Sequence, residues 1–242
     1  MGNTDIRNYK IIMRKGIIPK EGGILGVWLS TLIYGVILAV KSSNGLSLSE
    51  SITLIAALAA LPASGLALRS EPGWSRMKYI LPITILYLPI LYDAWPHSIY
   101  YLIAVGALLF GAIIARGLPL ILIGGPLIAG IGGALALTSG HQILALLPIT
   151  YSIMTVAIAG AGVSKLYRGL ALPSFLGGIG VIIAAAALYE ICNIASIVLV
   201  LDVGIRLGLY PLGVYDKVSL KLYGFHEAFH SLLVLALVAY CI

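Results

Sequence analysis

Apolar runs recur from Ile24 to Ile242, parted only by short polar gaps. Each run has close to the ~20 residues that cross ~30 Å of hydrocarbon as a helix. Only 10% of the residues are charged and 60% are hydrophobic, with a mean hydropathy of +1.06. A water-soluble domain carries about 25% charged residues, so this chain cannot build a surface that water wets all round. Lipid is the solvent its pattern calls for. Spanning strands would need alternating segments of about 10 residues. The runs here are continuous, so the expectation is an all-α polytopic membrane protein.

Nine spans are predicted, at about 24–41, 51–68, 77–94, 98–115, 118–137, 143–163, 173–190, 194–210 and 223–241. The stretch 173–210 reads either as one long helix or as a hairpin turning at Glu190-Ile191-Cys192-Asn193. Charge placement decides between them. With the amino terminus cytoplasmic, nine spans put every Lys and Arg but Lys41 on the inner side. Eight spans would move Arg206, Lys217 and Lys221 outside. Basic loops stay in the cytoplasm, so the nine-span arrangement is preferred, with the carboxyl terminus outside.

Residues 1–23 hold Arg7, Lys10, Arg14, Lys15 and Lys20 among apolar side chains. They read as a basic interfacial segment on anionic headgroups, closed by Pro19 and the Gly22-Gly23 pair. They lack the apolar core of a cleavable signal peptide. Residues 24–242 then form a single bundle. Glycines crowd the fifth and seventh spans (Gly124, Gly125, Gly130, Gly132, Gly133; Gly177, Gly178, Gly180), where small residues let helices approach closely. A glycine-lined cavity for a lipid tail is the other reading. Pro82, Pro89, Pro126 and Pro148 should bend their helices. Gln142 is the only glutamine, and so sparse a use of thermolabile amides hints at a thermophile.

The chemistry gathers between Asp202 and His230. His226-Glu227-Ala228-Phe229-His230 fits H-E-x-x-H, a spacing that puts two imidazoles on one helix face to bind zinc, with the glutamate activating water. If the last two spans run antiparallel, Asp202 approaches His230 and completes a metal set of His226, His230 and Asp202. The alternative is a structural polar network in which Asp202 pairs with Arg206, four residues on. His97 and His141 fall in outer loops. A second group is basic: Arg69, Arg76, Lys78, Arg116, Lys165, Arg168, Arg206, Lys217 and Lys221 all face the cytoplasm. Such charges orient the protein and touch anionic lipid. Arginine among them can also hold a phosphate bidentately. The partners expected are membrane lipids, and the positive charge does not argue for nucleic acid. Cys192 and Cys241 both reach the outer face, where they either form a disulfide or remain two small apolar residues.

Ile18-Pro19-Lys20-Glu21-Gly22-Gly23, leading into the first span, resembles the P-[KN]-x-H-G-x-W opening of YwiC-like membrane proteins. Arg206 near the end of the penultimate span, a basic loop and Leu222-Tyr223-Gly224-Phe225-His226-Glu227 resemble that family's entry to its last helix. Gly22 stands where the family has a histidine, and Leu25 where it has a tryptophan. The resemblance implies a fold more than an activity. The layout is also similar to UbiA-type prenyltransferases, but the inner loops lack the aspartate-rich motifs by which those hold magnesium diphosphate.

The expected function is a multi-pass cell-membrane protein whose inner-face site binds or processes an anionic lipid or isoprenoid. Arg69, Arg168, Arg206 and Lys221 would supply charge, and Glu227 with His226 would handle protons or orient the ligand. The alternatives are a zinc-dependent hydrolase built on HEAFH and a non-catalytic accessory subunit or small-solute carrier.

Overall fold

The computed structural model describes residues 22–43, 45–115, 118–159 and 171–242. Among them the chain is helical and has no strand. In order, the helices are α1 (Gly22–Ser43), α2 (Leu48–Arg69), α3 (Trp74–Leu86), α4 (Leu88–Asp93), α5 (Ile99–Ile114) and α6 (Leu118–Gly133). A 3-10 turn at Ala134–Ser139 leads to α7 (Gln142–Ile158), α8 (Ala171–Leu188) and α9 (Asn193–Leu209). A second 3-10 turn at Val214–Lys217 precedes α10 (Leu220–Cys241). Segments within α1, α2 and α10 are long and apolar enough to cross a membrane: Leu25–Ser42, Leu48–Ala67 and Lys221–Cys241. Shorter apolar helices make up much of the rest. These features suggest membrane association.

The helix boundaries follow local chemistry. Ser47 caps α2: its Oγ accepts from Glu50 N at 3.2 Å while Glu50 Oε2 accepts from Ser47 N at 2.6 Å. This reciprocal box satisfies two backbone donors that a helix start leaves open. Ser219 caps α10 by accepting from Leu222 N at 3.2 Å. Pro89 lies in the first turn of α4, where a missing N–H costs nothing, so the expected bend in the third span is a break at Tyr87. The fifth span tightens into its 3-10 turn after Gly133. The expected amino-terminal interfacial segment lies outside the described residues, except that Gly22 and Gly23 open α1.

The chain doubles back between α8 and α9. A Cβ at Gly178 would sit 2.7 Å from Leu207 Cδ1 and 3.2 Å from Val203 Cγ1. Those positions lie on either side of the Tyr189–Cys192 turn, so the pair is an antiparallel hairpin. Elsewhere, too, the alternate ends of successive segments meet. One face joins α1 to α10 through Lys41 Nζ and Tyr240 O (2.6 Å), and α1 to the 3-10 turn through Ser42 and Thr138 (3.3 Å). There Ser49 donates to Asp93, and Tyr100 N donates to Gln142 Oε1 at 3.1 Å. A disulfide between Cys192 and Cys241, with 6.2 Å between Cα atoms, ties the α8–α9 turn to the end of α10. At the other face Gly73 N donates to Ile113 O (3.0 Å) and Tyr223 Oη to Thr155 O (3.2 Å).

Most of the glycines singled out by composition are points where helices touch. A Cβ at Gly177 would meet Met154 N at 2.5 Å, at Gly180 Thr150 Cγ2 at 2.7 Å, and at Gly133 Pro148 Cγ at 2.9 Å. Glycine thus brings α6, α7 and α8 into close register, the means by which small residues let helix backbones approach. The closest pair is α1 with α10: a Cβ on Gly26 would lie 2.1 Å from Ala228 Cβ, and Ser30 donates to Ser231 Oγ at 3.4 Å. Gly26→Val should therefore lower stability in detergent by about 1–3 kcal/mol through overpacking. Gly204→Ala, where a Cβ meets nothing within 4 Å, should be neutral or stabilising by up to about 1 kcal/mol. Thermal unfolding of the two variants checks the contrast; equal midpoints would refute it.

Candidate functional site

The halves of α7, α9 and α10 away from the Cys192–Cys241 disulfide converge on Arg206. Its Nε donates to Asp202 Oδ1 at 2.9 Å, one turn back on α9. Its Nη1 donates to Glu227 on α10, and its Nη2 donates to Tyr151 Oη on α7 at 2.8 Å. Asp202 Oδ1 also meets His230 Nε2 at 2.6 Å. Asp202, Arg206 and Glu227 are all buried. Each charge is thus compensated by direct contact, which is the condition for holding ions out of water. Below the cluster, Tyr215 in the second 3-10 turn donates to Arg206 O at 3.1 Å. Burial pushes the Tyr215 hydroxyl up to about 12. Its ring meets Tyr223 edge to face at 5.7 Å.

The spacing of His226 and His230 does stack their rings, at 5.4 Å between centroids, and Asp202 does reach His230. The three-ligand metal set nevertheless does not assemble. Asp202 is turned to Arg206 as its counterion, Glu227 is engaged by the same guanidinium, and the His226 side chain is 65% exposed. Among the described residues no three His, Cys, Asp or Glu side chains are grouped so as to hold a metal ion. His97 and His141 sit exposed at the opposite face, where the Lys41 and disulfide contacts lie.

Arg206, expected to hold phosphate, is already engaged within the protein. Its guanidinium is spent on two carboxylates and a phenol, with 4% of the residue exposed, and little of it can face a ligand. Of the other residues expected to bind phosphate, Arg69 and Lys221 are exposed, while Arg168 lies outside the described residues. Sequence reasoning missed Tyr151, Tyr215 and Tyr223. A signal existed for Tyr151: a hydroxyl within an apolar run must find a partner inside the protein.

A second feature lies away from this cluster. α2, α3, α4, α5 and α6 surround an apolar slot of about 290 Å³. One wall is the stripe Tyr79, Ile80, Ile83, Thr84, Tyr87 and Leu91 on α3 and α4. The facing wall is the stripe from Tyr101 through Val105 and Gly106 to Ala112 on α5. At about 1.5 Å per residue that stripe runs roughly 16 Å along the helix. On the floor, Tyr101 and Tyr87 donate to the carbonyls of Gly130 (2.6 Å) and Ile131 (3.3 Å). These carbonyls lie where α6 gives way to its 3-10 turn.

The end of the slot away from the disulfide-bearing face is basic. Arg76 lines it, with Nη1 donating to Ala112 O at 2.6 Å and Ala115 O at 2.8 Å, at the carboxyl end of α5. Lys78 is exposed and lies 5.0 Å from the ring of Tyr79, a wall residue. Arg69 ends α2 at the same face, and Glu71 is the acid beside them.

Comparison with known protein families, curated proteins and solved structures finds no match. Function must therefore be argued from the ion cluster and the slot.

The ion cluster makes a definite demand. Arg206→Leu would leave two carboxylates facing each other in a buried site, a loss of about 3–5 kcal/mol. Adding Asp202→Asn and Glu227→Gln should recover part of that loss, because the uncompensated charge is gone. Unfolding midpoints of the single and triple variants measure this, and a triple variant weaker than the single one would contradict it.

Proposed function

We propose that this chain is a multi-pass cell-membrane protein that binds a lipid or isoprenoid bearing an anionic group. The apolar slot takes the hydrocarbon and the basic end takes the head. The observation that carries this reading is the slot itself: a long apolar trough closed at one end by buried Arg76, with the exposed cations Lys78 and Arg69 at that face. Apolar walls favour a hydrocarbon chain by about 25 cal/mol per Å² removed from water. The exposed cations Lys78 and Arg69 favour an anion. The site thus belongs to the α2–α6 half of the bundle and not to Arg206.

In this reading the chain crosses the bilayer nine times, counting α3 with α4 as one span and α6 with its 3-10 turn as another. The amino terminus is cytoplasmic and the carboxyl terminus outside. The alternation of helix ends supports it. So do the exposed aromatic residues Tyr92, Trp95, Tyr100, Tyr189 and Tyr240, all at the face bearing the Cys192–Cys241 disulfide. Aromatic side chains of this kind gather at a membrane–water interface, and a disulfide suits an oxidising outer compartment. A relation to YwiC-like proteins rests on the opening residues and on the segment around Arg206 and Glu227.

Two measurements test these proposals. Mass spectrometry of lipid co-purified with the protein should find an anionic species, reduced about fivefold, or ~1 kcal/mol, in the pair Arg69→Glu and Lys78→Glu. Undiminished lipid would exclude the basic end as the headgroup site. A cysteine placed at Lys217 in a Cys192→Ser, Cys241→Ser background should react with a membrane-impermeant maleimide only after the cells are opened. Labelling of intact cells would reverse the orientation.

A further inference from the structure

Helical glycine has a cost. It is about 1 kcal/mol worse than alanine in a helix interior, and in this bundle the cost is usually offset by contact. On α6 and α8, and at Gly26, Gly35 and Gly111 of α1 and α5, a Cβ would press on a neighbouring helix. Gly106 differs. A Cβ there would meet nothing within 4 Å, so packing does not require a glycine. Gly204 and Gly208 share that openness and, like Gly106, are exposed, but they do not line the slot. Gly106 lines the slot.

Its position along the slot is also defined. Arg76 meets Ala112 at the basic end, while Tyr87 and Tyr101 share the floor contacts on α6 further along. Since α3 and α5 run in opposite directions, Gly106 lies between these two levels, opposite the Ile83–Thr84 stretch. The space in front of it is the middle of the trough.

We propose that Gly106 determines which chains the slot accepts. By lacking a side chain, it keeps the trough continuous from the basic end to the tyrosine floor, so that one long hydrocarbon tail can lie along its whole length. A bulky residue there divides the trough, leaving room next to Arg76 and Lys78 for a short tail only. The inference rests on the lipid-binding reading above and adds to it a residue that selects for tail length.

The test uses the whole purified protein in detergent and two probes with the same head, oleoyl and hexanoyl lysophosphatidate, with binding read by native mass spectrometry. The wild-type protein is expected to bind both, and the oleoyl probe more tightly. Gly106→Phe should weaken the oleoyl probe at least about tenfold, which is ~1.4 kcal/mol, and leave the hexanoyl probe within about twofold. Retained hexanoyl binding also shows that the variant is folded. Gly106→Ala should keep both affinities, since a methyl group fits the open space. Unchanged oleoyl binding by Gly106→Phe overturns the role of Gly106 while leaving the site in place. So does equal weakening of both probes in a variant whose unfolding midpoint is unchanged. Failure of the wild-type protein to bind either probe overturns the lipid-binding reading itself.

Discussion

The half of this bundle away from the disulfide depends on one guanidinium. Arg206 holds Asp202 on its own helix, Glu227 on α10 and Tyr151 on α7. Apolar side chains give helices in lipid little reason to prefer one rotation over another, because tails and leucines are equally apolar. A buried ion cluster does give such a reason. Rotating α9 or α10 by a fraction of a turn would strand a carboxylate away from its partner. Replacing a buried ion pair by apolar residues often costs nothing, so the benefit here is orientation more than stability. The disulfide between Cys192 and Cys241 constrains the opposite end of the same pair of helices. α9 and α10 are thus fixed at both ends, by ions at one and a covalent bond at the other.

The rest of the bundle divides into two regimes. α1 with α10, and α6 with α7 and α8, pack through glycine and small residues at distances that allow no added carbon. On the α2–α5 side the contacts are looser. α5 leans on α6 through Gly111 and Ile123 and is joined to the start of α3 by Gly73 and Arg76 at the basic end. Between that joint and the tyrosine contacts with α6, the walls stand apart. The slot is what remains when two helices are held at their ends and nothing reaches across to Gly106 in the middle.

Much of this was legible in the sequence, for identifiable reasons. The helical class follows from unbroken apolar runs, and the turn near Asn193 follows from the positions of Arg206, Lys217 and Lys221. The approach of Asp202 to His230 follows from antiparallel helices and four-residue spacing. Other features were not legible. HEAFH looks like a metal motif because spacing records which side chains share a face, not what each side chain is already bonded to; Arg206, twenty-one residues before Glu227, claims that carboxylate. Tyr151 is a partner from a helix far away in sequence. The slot has no signature at all: it arises from a gap between walls of ordinary apolar residues, and a gap is a property of packing.

The cations of this chain differ in how much of their charge is left for an outside partner. Burial forces a guanidinium to find its own acceptors, and Arg206 finds two carboxylates within the protein. Arg76, also buried, donates to carbonyls at the end of α5; there it satisfies groups that a helix terminus leaves open. A cation that can still meet an incoming anion must stand nearer to water, as Lys78 does at the slot's basic end. Charges so placed are screened by salt over about 8–10 Å, whereas the apolar walls are not. A lipid bound as proposed would therefore be held by forces with different salt dependence, the head by a weak and screened attraction and the tail by burial. Retention would then come chiefly from the hydrocarbon, with the basic end setting which way round the molecule lies.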